Sequence, residues 1–329
     1  MQRLLAILVV LGVLGIGVLG AGCQRSQESE VTRTSDGVLR LGTVEAVDTV
    51  ARAVAPNDRP LVLEGMRGTV RLTGADRSTT DLAFVRRGRG DSRDDAQAVL
   101  EGLSITESGS ASEYTYTLAA DQDVPAAVDV QGQVPRRTAL RIDRLSGPVR
   151  IAGVEGALTI SHAHGDVVVE GAAGPAEVTI KNGDVEVGFR ALPADGTHLI
   201  ETANGDLRLR LPPGAAVRVT AQTDAGTIRT RELSFATEQF SPINAGARYE
   251  AQRGDGGPTV DLRTQTGNIL IEAADTSRTD ITSAPATIPS SDTTVAPQPV
   301  SDTVPPTDPD ASKESAPTVD TAVADTTRP

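Results

Sequence analysis

The residues of this chain whose types and spacing could do chemistry are a histidine pair, three aspartates, two tripeptides and one cysteine. His162 and His164 form an H-x-H, the spacing at which two imidazoles on one strand can share a metal ion. Asp166, Asp184 and Asp206 each follow a glycine, and stacked segments would set them in a column able to hold a cation. Arg-Gly-Asp occurs at 89–91 and again at 253–255. Cys23 is the only cysteine.

Each has a plainer reading. Aligned on the following glycine, His164 stands where Asn182 and Asn204 stand, and both residue types tolerate left-handed backbone at a turn. No carboxylate or cysteine cluster accompanies the pair, so no metal is expected. An aspartate after a turn glycine commonly caps its own turn and leans into water, which is the expectation for the three acids, with a weak cation column as the alternative. A three-residue match carries little weight in a chain rich in Arg, Gly and Asp. No G-x-S-x-G, H-E-x-x-H or Walker pattern occurs, and aromatics to stack on sugars are scarce, with no Trp, four Phe and three Tyr. Neither catalytic residues nor a cofactor are expected.

The elements that must carry these residues repeat. KNGDVEV (181–187) and ANGDLRL (203–209) share a frame with MRGTVRL (66–72), LSGPVRI (145–151), AHGDVVV (163–169), DAGTIRT (224–230) and QTGNILI (265–271). After each glycine comes a polar residue or proline, then an apolar residue, a free position, and a second apolar residue; only Thr230 breaks the last rule. Such alternation makes a half-buried β-strand after a turn. The turn glycines Gly147, Gly165, Gly183, Gly205, Gly226 and Gly267 are spaced by 18, 18, 22, 21 and 41 residues, the last step being about two of the others. A unit of roughly 20 residues cannot bury its apolar face alone, whereas stacking it on its neighbours can. The expectation is an all-β, single-domain β-solenoid, like a parallel β-helix, over residues 49–274; a β-sandwich is the alternative. In DSRDDAQAVLEGL (91–103), Ala96, Val99, Leu100 and Leu103 fall at helical spacing behind Asp91 or Ser92 as cap. This predicts one short helix at the N-terminal end, hiding the edge of the first rung.

The repeated Gly-Asp-Val turns, the segments VPRRTALRI (134–142) and LPPGAAVRV (211–219) before two of them, and the terminal TQTGNILIE resemble the bacterial family of β-solenoid domains of unknown function regarded as candidate adhesins. The resemblance spans roughly residues 50–274. It implies the solenoid fold and an envelope location, and brings no catalytic residues.

The ends speak of place. Residues 4–21 are an uncharged apolar run behind Arg3, stopping at Gly22-Cys23. This resembles a lipoprotein signal (1–22) in which the Cys23 thiol is acylated, although Gly20 stands where Leu is usual. An uncleaved signal anchor is the alternative, and both tether the protein to a membrane outside the cytoplasm. Residues 23–48 read as lipid anchor and flexible linker. Residues 275–329 hold nine acidic against three basic residues and nine prolines without a glycine, and are expected to be a disordered tail. With a formal net charge of −13, nucleic acid is not an expected partner. The expected function is a noncatalytic cell-envelope surface protein, an adhesin or scaffold whose partner is an envelope protein or glycan. The alternatives are a polysaccharide-active enzyme and an accessory envelope-stress sensor.

Overall fold

The computed structural model describes residues 44–56, 58–120, 124–193 and 197–274. The signal, Cys23, most of the linker and the tail lie outside the described residues. In chain order the elements are β1 (Val44–Val54), β2 (Leu61–Gly65), β3 (Val70–Ala75), β4 (Thr80–Gly90), α1 (Arg93–Glu101), β5 (Leu103–Gly109), β6 (Tyr114–Ala120) and β7 (Ala126–Pro135). Then come the paired strands β8 (Leu140–Ser146) and β9 (Val149–Ala152), β10 (Leu158–His164) and β11 (Val167–Ala172), β12 (Ala176–Asn182) and β13 (Val185–Phe189), and β14 (Thr197–Asn204) and β15 (Leu207–Leu211). The chain closes with β16 (Val217–Ala225), β17 (Ile228–Arg231), β18 (Thr237–Ile243), β19 (Gly246–Arg253), β20 (Thr259–Thr266) and β21 (Ile269–Ala273).

From β6 to β18 consecutive strands alternate between two sheets, and each sheet grows there by parallel pairing of one coil on another. The fold is therefore a two-sheet β-solenoid, as the repeat predicts. Alternation is what builds it. In one sheet Val70, Val149, Val167, Val185, Leu207 and Ile269 pair in register as one buried column, and Leu72, Ile151, Val169, Val187, Leu209 and Ile271 as another. The facing sheet contributes Leu63, Ile142, Ile160, Val178, Ile200 and Leu262. Branched aliphatic side chains fill most of this space, with Phe84, Tyr116 and Phe189 the largest side chains buried in the same core.

The stacking order departs from the chain order at both ends. The first sheet runs β1-β4-β7-β3-β9-β11-β13-β15-β21-β17, and the second β18-β19-β16-β20-β14-β12-β10-β8-β2-β6-β5. The coil carrying Gly267 thus lies between the coils of Gly205 and Gly226, rather than beyond them. The extra residues in the 41-residue step form the antiparallel β18–β19 hairpin, which extends one sheet before the chain returns to fill the vacant slot. At the N-terminal end the β6/β7 coil is likewise laid outside β2/β3 before β8/β9 resumes on the inner side.

Helix α1 begins with a capping box between Ser92 and Asp95 and buries Ala96, Val99 and Leu100. It packs chiefly on β4 and β1, where the close backbone approach at Gly88 and Gly90 leaves no room for a side chain. The helix therefore plugs the inner face of the end rather than masking a strand edge; the edges are left to β1 and β5. Strand β1 starts at Val44, within the stretch expected as linker.

Candidate functional site

The turn glycines form one line down the solenoid. From Gly147 to Gly267 the six have positive φ between 111° and 152°, and a β carbon on any of them would run into the carbonyl of the glycine one coil below. Even the loosest step, Gly165 over Gly147, would leave 2.7 Å to that oxygen. Glycine is required here by conformation and by contact together.

Turning the chain at this point takes the peptide after each glycine out of the strand ladder, and its two polar groups need other partners. The aspartates supply one. Asp184 N–H donates to Asp166 Oδ1 at 3.0 Å, Asp206 N–H to Asp184 Oδ1 at 2.8 Å, and Asn268 N–H to Asp206 Oδ1 at 2.7 Å. Thr227 N–H donates in turn to Asn268 Oδ1 at 3.1 Å. Each acid therefore serves the next coil, not its own turn as expected. Where Pro148 interrupts the column, there is no N–H to serve. Threonines three residues before the glycine supply the other partner: Thr202, Thr264 and Thr223 hydroxyls donate to the carbonyls of Gly183, Gly205 and Gly267 at 3.1, 3.1 and 2.8 Å. Among the described residues no group of three or more His, Cys, Asp or Glu stands ready to hold a metal ion.

The two histidines of H-x-H part ways. His164 is exposed and its Nδ1 accepts from Asn182 Nδ2 at 3.1 Å, while Asn204 Nδ2 donates to Asn182 Oδ1, so the three make an aligned column, though each ends a strand and none takes the left-handed backbone expected of it. His162 is buried, and its Nδ1–H donates to Arg144 O at 3.1 Å. Arg144 is itself buried with Nη2 donating to Val128 O at 2.9 Å and Gly68 O at 3.3 Å; burial pushes its guanidinium down to about 10. Sequence reasoning passed over His198, fully buried against Phe189, with Nδ1 accepting from Ala176 N–H. Its signal was the frame of Ile200 and Thr202, which turns every second residue of β14 inward. Burial lowers the pKa of both His162 and His198, and the accepting role of His198 Nδ1 further requires a neutral ring.

The two Arg-Gly-Asp tripeptides sit differently, the first with its glycine covered and the second at an exposed turn. Gly90 is buried beneath the start of α1, and Arg89 leans toward Glu45 at 3.7 Å. Arg253 ends β19, half-buried, with Gly254 and Asp255 exposed in the turn that follows.

The outer face of the first sheet is where charge is displayed. Arg71, Arg150, Val168, Glu186, Arg208, Leu270 and Arg229 pair in register across seven strands, so the free positions of the repeat form a single column. At its C-terminal end Arg210 bridges Glu186 and Glu272, and Arg208 and Arg231 approach Glu272 at 3.9 and 3.8 Å. A groove of about 300 Å³ opens there between β15, β21 and β17, lined by Asp206, Arg208, Thr227, Arg229, Arg231 and Leu270 among others.

Residues 112–272 match the family model described as Toastrack DUF4097. No curated protein matches the chain. Among solved structures, a candidate cell adhesion protein from Clostridium sporogenes ATCC 15579 is similar at 12% identity with a TM-score of 0.40, covering 70% of this chain and 100% of that one. A candidate adhesin from Bacteroides fragilis NCTC 9343 is similar at 11% identity with a TM-score of 0.26, covering 69% and 97%.

Proposed function

We propose, for a chain whose residues 112–272 match the Toastrack DUF4097 family model, that it works as a noncatalytic binding module of the cell envelope, an adhesin or scaffold tethered outside the cytoplasm. The observation that supports this most is the division of its titratable groups. His162, His198, Arg144 and Tyr116 lie sealed beneath the sheets, while the charges of the outer face stand open to solvent in one column, its C-terminal end fixed by the pairs of Arg210 with Glu186 and Glu272. Fixed charges on a stiff, flat face suit recognition; a reaction needs groups that can exchange protons with a substrate. The tether rests on the apolar run ahead of Cys23. Among the described residues no helix is long and apolar enough to cross a membrane.

The test is retention of the full chain on envelope protein and glycan fractions, with turnover assayed on whatever is retained. Saturable retention without turnover is the expected result. Turnover of a bound polysaccharide would move the domain to the enzymes.

A further inference from the structure

We propose that the open edge of β17 is a docking site for an extended acidic polypeptide segment of a partner protein, added as one more strand of the first sheet. The proposal rests on reading the domain as a binding module and names the partner's chemistry.

Three observations converge on this edge. Strand β17 is the last in its sheet and pairs only with β21, and Arg229, Thr230 and Arg231 are all exposed, so among the described residues no strand pairs with the backbone N–H and C=O groups of its outer row. Such a row pairs readily with an incoming strand. Next, Arg229 and Arg231 stand two residues apart on the same outer face. Among the described residues Arg229 enters no ion pair, and Arg231 only approaches Glu272 at 3.8 Å with its side chain 65% exposed. An added strand would set its own outward residues beside these two arginines, where opposite charges are favourable neighbours. Finally, the groove beside them has Leu270 as its floor, flanked by Arg208 and Arg229, with no aromatic side chain among its lining residues. That lining offers contact for short side chains and carboxylates but little for a sugar ring. Residues 44–274 as a whole carry 32 acidic against 24 basic residues, which disfavours nucleic acid. The fitting ligand is a segment with acidic residues at i and i+2.

The probe is a fluorescein-labelled peptide of four Glu-Thr repeats, titrated against the full chain by anisotropy in about 0.15 M salt, with amide hydrogen exchange read on the complex. Expected are saturable binding, slowed exchange in residues 228–231, no binding of a Lys-Thr peptide, and at least a 10-fold weaker affinity for Arg229→Glu combined with Arg231→Glu. Arg141→Glu, exposed on β8 of the other sheet, should bind as wild type. Equal binding by the double variant, or protection elsewhere than β17, overturns the proposal. So does a galacturonate oligomer that binds in an arginine-dependent way while the peptide does not, since the occupant would then be a glycan. If the peptide fails but the chain is still retained by envelope fractions, the edge is not the site and the binding-module reading stands; loss of both removes both.

Discussion

At the scale of single residues, the corner of each coil is an exchange of hydrogen bonds between neighbours, and its parts can be tested apart. An alanine at Gly205 would set its β carbon against Gly183 O, a fixed backbone atom, at a φ of +149°. The expected cost is about 1–3 kcal/mol or more, seen as a lowered urea midpoint. Gly214→Ala is the control, since its φ is +74° but nothing lies within 4 Å of the added carbon, leaving conformational strain alone. In the aspartate line, Asn268 already does with an amide oxygen what Asp184 does with a carboxylate. Asp184→Asn should therefore be nearly neutral, while Asp184→Ala strands the N–H of Asp206 and should cost about 1 kcal/mol. Calcium and a chelator should leave both melting curves unchanged; a calcium-dependent gain would restore the cation column. The buried imidazoles predict a pH response. Their folded pKa values lie below the unfolded value of about 6.5, so between the two the unfolded chain binds more protons and stability rises with pH. Stability is accordingly expected to fall as pH drops below about 6.5, and the slope to flatten in His162→Thr with His198→Leu, measured by urea unfolding at pH 5 and 7.5.

Elements follow from these corners through alternation. Leu207 is 1% exposed and paired in register with Val185 and Ile269, so Leu207→Ala should cost about 2–5 kcal/mol through the cavity it leaves. Ser92→Ala, removing the hydroxyl that accepts from Asp95 N–H at the start of α1, should cost about 1 kcal/mol by thermal melting. Much of this level was legible beforehand. The glycine frame located seven corners, though not the one between β6 and β7, and turned Val185, Val187, Leu207 and Leu209 inward, because period 2 and the turn are both local properties. Thr230, the one exception, has its explanation at the stack's end: it points inward from the last strand, where nothing covers it, and is exposed. The charge column on the outer face was not legible. Arg150, Val168, Glu186 and Arg208 share no chemical type, and only the register shows that they are neighbours. Nor was the service each aspartate gives to the next coil, since a partner 18 or 22 residues away is invisible to local turn chemistry.

The whole molecule is held by an order of assembly that the chain does not follow. Strand β20 pairs with β14 on one side and β16 on the other, and β21 likewise joins β15 to β17. Ending the chain at Gly257 would thus remove an inner coil, not an outer one. Loss of amide protection should spread to β16 and β17, while β8 to β13 keep theirs, and hydrogen exchange would show it. Protection retained in β16 would mean that the hairpin β18–β19 holds the end alone. This interleaving also says how such a protein can change length over evolutionary time. Both ends are closed by segments placed out of turn, so a duplicated coil added at either terminus of the gene would find no strand to continue. A copy of an 18-residue unit inserted between Gly147 and Gly183 would meet the same neighbours as the original, lengthen the stack by about 4.8 Å, and leave both closures intact. Reach would then be heritable in increments of one coil, tuned in the middle of the gene while its two ends are conserved.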